Sequence, residues 1–283
     1  MTFEVRPLTG GIGAEIVGAN VTDAGQFDEL HQAFVDHAVI TIRDQHITPE
    51  EQIAFARRFG EINVNRFFAK VDGHPEIALV LKEPDQKVAI GETWHTDHSY
   101  DTAPAMCSML HAIETPQVGG DTVFASMYSS FEGLSDGLKD TLRGLSAWHS
   151  SRHVFGDKGD RTRETRKDGR IGNAEKALQD SLHPAVIRHP LSGREALYVN
   201  PQFTTHFDGW TAEESRPLID FLERHCTKAE YTCRVRWQPG TITIWDNRAT
   251  WHKAVNDYHG HRRRMHRITI EGVTLEEARR RAA

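Results

Sequence analysis

The chain has 283 residues, a formal net charge of −6, 38% hydrophobic residues and three cysteines. That apolar share is ample for a packed core, the acidic balance argues against a nucleic-acid binder, and three cysteines without CxxC spacing argue against a disulfide framework or a zinc ribbon. No apolar run reaches the roughly 18 residues of a membrane span and the start lacks a basic-then-apolar leader layout, so the expectation is a cytoplasmic protein with no membrane partner.

Residues 3–6 and 12–17 read as short strands joined by the turn Thr9-Gly10-Gly11. These glycines do not form GxGxxG and no helix opens behind them, which argues against a dinucleotide site. From Asp28 to His37 the residues Leu30, Ala33 and Phe34 recur at helical spacing, and Val39-Ile40-Thr41-Ile42 follows as a buried strand. Thr48-Pro49-Glu50-Glu51 is a capping box with proline at the first helical position, opening a helix expected to run to Phe59 and stop at Gly60. Between Glu61 and Gly91 short strands, one near Ile77 to Leu81, alternate with turns at Gly73-His74-Pro75 and Glu83-Pro84-Asp85.

The stretch Trp94-His95-Thr96-Asp97-His98 is read as a strand, in which His95 and Asp97 project from one face. His98 lies an odd number of residues from both, so the same reading turns it to the opposite face as a structural histidine, with Trp94 as packing. Ala105 to Ala112 reads as a buried strand, Gly119-Gly120 as a turn into Thr122 to Ala125, and Phe131 to Leu142 as a helix that sets Leu134, Leu138 and Leu142 against a sheet.

From Gly156 to Ser181, 13 of 26 residues are charged and none is aromatic. Such a stretch is expected to bury little and to move, as a surface insertion or as a lid over a site. Strand signals return at 185–187 and 196–199, a helix capped by Thr211 spans Ala212 to His225, and Tyr231 to Trp237 alternates Tyr231, Cys233, Val235 and Trp237 on its buried face. Pro239-Gly240 leads into the strand Thr241 to Trp245, a turn delivers His252, and after the loop Asn256 to His261 a last strand covers Arg262 to Ile270. The tail Leu275 to Ala283 reads as a short solvated helix or a frayed end. No internal repeat is visible; many strands with few flanking helices point to one mainly β domain over 1–283, built as a double-sheet barrel.

Two imidazoles and one carboxylate, His95, Asp97 and His252, form the donor set of a facial triad, which holds Fe(II) on one side and leaves positions open for substrate and O2. In a chain with 17 histidines an HxD alone is weak evidence. A zinc-dependent hydrolase or a non-catalytic metal-binding jelly-roll protein could use the same three side chains.

The wider pattern resembles the taurine dioxygenase (TauD/TfdA-like) family of Fe(II)/2-oxoglutarate-dependent dioxygenases. The matching residues run in order from Pro7-Leu8-Thr9-Gly10-Gly11-Ile12-Gly13-Ala14-Glu15-Ile16 through Phe59-Gly60, Trp94-His95-Thr96-Asp97 and Gly119-Gly120-Asp121-Thr122 to Trp245-Asp246-Asn247-Arg248 and Arg263-Arg264-Met265-His266-Arg267. The resemblance implies a double-stranded β-helix of jelly-roll, cupin-like type and a homo-oligomer. It implies hydroxylation of a substrate with Fe(II), 2-oxoglutarate and O2, releasing succinate and CO2.

Residue by residue, it implies Arg263, 11 positions after His252, as the fork for the distal carboxylate of 2-oxoglutarate. Thr122, 27 positions after His95, is implied as a hydrogen-bonding partner of that carboxylate, although it could simply close the turn after Gly119-Gly120. Arg263 and Arg267 share a strand face, so if one points inward both do. Two inward arginines need two anions, and the resemblance gives Arg267 a small anionic organic substrate, with Phe203, 49 positions before His252, packing against it. The plainer alternative pairs Arg267 with an internal carboxylate such as Asp246. Where the family's taurine enzymes place a histidine and a tyrosine, this chain has Asn65 and Phe68, beside Phe67. Apolar rings in place of donors favour an alkyl sulfate, another bulky sulfonate or an aryloxyalkanoate over taurine.

Overall fold

Strand alternation decides which side chains face inward, and two sheets share one interior. In the computed structural model, which describes residues 2–157, 159 and 162–277, the large sheet has the spatial order Glu4–Pro7, Ala14–Val17, Val39–Ile42, Ile242–Asp246, Cys107–Glu114, Arg263–Ile270, His74–Lys82 and Lys70–Val71, with Ile62–Asn63 also paired to Arg263–Ile270. One pairing in it is parallel, Ala14–Val17 with Val39–Ile42. A parallel pair needs a crossover, and the helix Phe27–His37 supplies it. The small sheet is Thr232–Val235, Thr122–Ser126 and Thr250–Ala254, antiparallel throughout.

Val39, Leu110, Trp245 and Met265 of the large sheet pack against Phe124, Cys233 and Val235 of the small one, which makes the fold a mainly β, double-sheet jelly roll. The helices Phe27–His37 and Pro49–Ala56 cover the outer face of the large sheet, setting Leu30, Phe34 and Ile53 on Ile40, Ile244 and Ile268. Met127–Glu132, Asp136–Arg143 and Ala212–Cys226 cover the small sheet around Ala125 and Trp251. Thr48 and Thr211 each close a full capping box, with Glu51 and Glu214. Among the described residues no helix is long and apolar enough to cross a membrane.

Three sequence expectations change. The single helix over 131–142 is two, Met127–Glu132 and Asp136–Arg143, with Gly133 as the C-cap of the first and Ser135 as the N-cap of the second; only glycine fits at 133, where a Cβ would meet the Tyr231 hydroxyl oxygen at 2.0 Å, and Leu134, Leu138 and Leu142 still pack into one cluster. The second helix ends at Ala56, and a turn carries the chain on to Gly60. In the tail, Glu276–Glu277 pairs as a strand with Ile187 and Arg188, and 278–283 lie outside the described residues.

The turn that delivers His252 is pinned by charge. Arg248 donates from Nε and Nη2 to Asp246 Oδ1 and Oδ2 at 2.9 and 2.6 Å, and His189 Nε2 donates to Oδ2 at 3.0 Å. Burial opposes ionisation of Asp246, yet Arg248 and then His189 hold its carboxyl far below the usual range. Arg248→Met leaves that carboxylate buried without its fork and is expected to cost about 3–5 kcal/mol in urea unfolding at neutral pH. A depressed folded pKa stabilises above the unfolded value, near pH 4, and that contribution fades on acidification. The gap between wild type and variant must therefore narrow as pH falls; a constant gap would rule out the ion pair as its source.

Candidate active site

His252 points inward from Thr250–Ala254, in register with Phe124. An isolated antiparallel bridge joins it to His95: His95 N donates to His252 O at 3.1 Å and His252 N to His95 O at 2.8 Å. The strand expected over 94–98 stops at this bridge. Thr96 Oγ1 ties back to Thr250 O at 2.6 Å, and Asp97 to Tyr100 then form a turn with His98 at φ 58°. A turn, not strand alternation, brings Asp97 to the imidazoles. One ligand atom from each of His95, Asp97 and His252 lies within 4.8 Å of the others, and all three residues are buried. His95 Nε2 is 3.6 Å from Asp97 Oδ1, and His252 Nε2 is 3.7 Å from Asp97 Oδ2.

The protonation states suit a divalent cation. His95 Nδ1 lies 2.7 Å from the Thr93 carbonyl oxygen, which can only accept, so Nδ1 carries a proton and Nε2 is the nitrogen left to ligate a metal. Burial, then the neighbouring His95, pushes His252 well below the usual imidazole range and keeps it neutral. For Asp97 burial works against charge, but Arg267 and the two histidines outweigh it and hold the carboxyl well below its ordinary range. Arg267 Nη2 donates to Asp97 Oδ2 at 2.8 Å, and Ser108 Oγ donates to the same oxygen at 2.9 Å. Two imidazoles and one carboxylate fit Fe(II).

A cavity of about 230 Å³ contains this triad and every other residue singled out in the sequence: Thr122, Arg263, Arg267, Phe203, Asn65 and Phe68. Arg263 and Arg267 both face inward, as their shared strand face requires, and both are buried. Arg267 pairs with Asp97; Asp246 is taken by Arg248 and His189. Its Nε is buried without an acceptor, as is that of Arg263. Burial lowers the pKa of Arg263, and no salt bridge reaches it among the described residues.

Gly119 and Gly120, at φ 85° and 71°, do more than turn the chain into Thr122. A Cβ on Gly119 would meet Asp257 Oδ1 at 2.6 Å, and one on Gly120 would meet the Arg263 Cδ at 3.2 Å. Asn65 accepts the Phe67 and Phe68 amides at 2.9 and 3.0 Å, so its carbonyl shapes its own turn. The Phe68 ring lies 5.5 Å from the Arg267 guanidinium.

His98 also lines the cavity, contrary to the strand reading, with Nδ1 donating to Asp101 Oδ2 at 3.0 Å. Tyr100, Phe155 and Gln202 line it without having been singled out. Tyr100 could have been found as the aromatic in the turn behind the motif. Phe155 and Gln202 carry no local signature. The charged segment buries more than expected: Thr165, Arg170, Ile171 and Ala177 are buried, and Thr162, Thr165 and Ile171 reach the cavity.

A family model described as "Taurine catabolism dioxygenase TauD, TfdA family" matches residues 4–269. The chain belongs to the TauD/TfdA family. An alkylsulfatase of Acinetobacter baylyi is 32% identical to it over 278 residues, covering 95% of this chain and 85% of that protein. An alpha-ketoglutarate-dependent sulfate ester dioxygenase of Pseudomonas putida is 31% identical, covering 96% and 90%. The crystal structure of a putative alpha-ketoglutarate-dependent taurine dioxygenase from Burkholderia xenovorans superposes with a TM-score of 0.81 at 32% identity, covering 98% of this chain and 95% of that one.

As a TauD/TfdA member the protein is a 2-oxoglutarate-dependent dioxygenase, an oxidoreductase that works with Fe(II), 2-oxoglutarate and O2. His95→Ala, Asp97→Ala and His252→Ala should each weaken Fe(II) binding by more than about 100-fold, since loss of mere outer-shell partners already costs about 10–100-fold. Equilibrium dialysis of Fe(II) under anaerobic conditions reads this directly. Near-normal uptake by any of the three would remove that residue from the ligand set.

Proposed function

We propose that His95, Asp97 and His252 hold Fe(II), that Arg263 and Thr122 bind the distal carboxylate of 2-oxoglutarate, and that Arg267 receives a small organic anion, which is hydroxylated beside Phe68, Phe203 and Asn65. The observation that carries this reading is a pair of arginines, only 5% and 7% exposed, on one face of Arg263–Ile270 inside the cavity that also holds the triad. Arg263 has no carboxylate partner among the described residues and so calls for an anion, while Arg267 already has Asp97 on Nη2 and has only its Nε without an acceptor. A zinc hydrolase built on the same triad would leave Arg263 and Thr122 without a ligand.

When bound, Fe(II) with 2-oxoglutarate and O2 supplies oxidative decarboxylation to succinate and CO2, coupled to hydroxylation of a substrate carbon. The chain's own residues bind, orient and exclude water. Arg263 offers a planar fork to a carboxylate, which an ammonium cannot match. Arg267 supports Asp97 through Nη2 and keeps Nε for a second anion. Phe68, Phe203, Ile90 and Ile171 wall the space with apolar surface and keep water from the reacting carbon.

The same wall favours an alkyl sulfate, a bulky sulfonate or an aryloxyalkanoate over taurine, and the sulfate-ester activity named for the Pseudomonas putida relative supports an anion of this class. The segment 156–181 acts as a lid in this reading: Gly172 N donates to Phe67 O at 2.8 Å and Ala69 N to Arg170 O at 3.1 Å, tying it to the loop that carries Phe68. Three free, buried cysteines fit a reducing cytoplasm.

Arg263→Lys should raise the 2-oxoglutarate concentration needed for half-saturation by about tenfold or more, the loss of a charge-assisted hydrogen bond, with Fe(II) affinity unchanged. An unaltered 2-oxoglutarate requirement would move the role to another residue. For the substrate, succinate formation should be stimulated by alkyl sulfates, alkylsulfonates or aryloxyalkanoates and not by their neutral alcohol or ester analogues. Stronger stimulation by the neutral series would sink the assignment of Arg267.

A further inference from the structure

Trp237 follows the edge strand Thr232–Val235 of the small sheet, is buried, and is not among the residues that line the cavity. Yet it touches both residues of the proposed 2-oxoglutarate subsite. Its indole Nε1 donates to Thr122 Oγ1 at 3.0 Å, and the Arg263 guanidinium lies over its ring at 5.6 Å from the centroid.

Each contact limits a freedom that would otherwise weaken binding. A threonine hydroxyl has one proton and two lone pairs, and an indole N–H can only donate. With one lone pair held by Trp237, the hydroxyl rotor is biased to turn its proton away from the indole. Among the described residues that hydroxyl makes no other hydrogen bond, while Thr122 itself lines the cavity. Arg263 is confined from two sides. The indole face attracts the guanidinium as a cation–π contact, and the Gly120 backbone flanks its Cδ so closely that a Cβ there would lie 3.2 Å from it.

We infer that Trp237 is a positioning residue for 2-oxoglutarate: it aims the Thr122 proton and holds the Arg263 fork so that both donors meet one carboxylate. This rests on the proposed location of that carboxylate. Phenylalanine at 237 would keep a ring face for Arg263 and lose only the N–H, so Trp237→Phe isolates the hydrogen-bonding half of the role.

The test is an anaerobic titration of 2-oxoglutarate into the Fe(II)-loaded protein, followed by its visible charge-transfer band, for wild type, Trp237→Phe, Thr122→Val and the double variant. Trp237→Phe should raise the 2-oxoglutarate Kd about fivefold, the worth of one ordinary hydrogen bond, with Fe(II) affinity unchanged. In the Thr122→Val background the same change should add little, because the hydroxyl it orients is gone. A wild-type Kd for Trp237→Phe, or losses that multiply in the double variant, would overturn the inference.

If Thr122→Val and Arg263→Lys both bind 2-oxoglutarate normally, the subsite itself is misplaced; if both are impaired while Trp237→Phe is not, only the role of Trp237 falls. A second measurement does not depend on the phenylalanine variant folding. In ¹⁵N-indole-labelled, Zn(II)-loaded protein, one indole resonance should move on Thr122→Val and the same resonance should respond to added 2-oxoglutarate. The absence of that coincidence also overturns the inference.

Discussion

Taking a carboxylate out of water costs several kcal/mol, and Asp97, buried against two imidazoles, stays ionised because Arg267 and Ser108 both donate to its Oδ2. Much else is arranged around that need. Arg267 has to lie on the inward face of Arg263–Ile270, and strand alternation then turns Arg263 inward as well. Ser108 comes from the neighbouring strand Cys107–Glu114, in register with Thr269, so the pairing of these two central strands fixes the support of Asp97, the proposed metal ligand. In the proposed reading one guanidinium also serves the substrate anion. The charge that steadies Asp97 and the charge that receives the substrate are then the same, and the two sites are electrostatically linked at that residue.

The small sheet meets this arrangement from the other side. His252 and Thr122 both point inward from paired strands of it, and the His95 bridge extends its hydrogen bonding by a single residue pair before the chain turns. The turn that sets His252 in place is held by the buried Asp246, Arg248 and His189 group, which satisfies the Asp246 carboxylate without drawing on Arg267. The motif residues Trp245-Asp246-Asn247-Arg248 are therefore part of the scaffold in two senses: Trp245 packs between the sheets, and the three behind it lock the hairpin.

Local rules were legible in the sequence wherever local forces decide. The capping box at Thr48, the cap at Thr211, the buried alternation of Cys233, Val235 and Trp237 and the shared face of Arg263 and Arg267 follow from spacing alone and appear in the structure, whereas Tyr231 is only half-buried and ends a short 3-10 helix before the strand. The triad and all the other residues picked from the family resemblance meet in one cavity. What spacing missed came from distant partners. Residue 133 has to be glycine because Tyr231 occupies the space of a Cβ there, and the bridge to His252 ends a strand that periodicity would have continued through His98. The bond from Trp237 to Thr122 spans 115 positions and has no local mark. Arg267 chose Asp97 over Asp246 because Asp246 already has Arg248 beside it in the same turn.

A division of labour follows from where the side chains sit. His252, Thr122, Arg263 and Arg267 are on strands, whose register allows little displacement. The residues nearest the proposed substrate come from other kinds of backbone: Asn65 and Phe68 from the loop before Lys70–Val71, Tyr100 from the turn behind Asp97, Phe155 from a four-residue helix, Phe203 from a turn. Loops tolerate exchange and insertion where paired strands do not. Changing those rings can then reshape the wall that faces the proposed substrate without moving the charges of the proposed iron and 2-oxoglutarate sites. In the proposed reading, the aromatic wall of this chain, more than its arginines, then decides which anion fits.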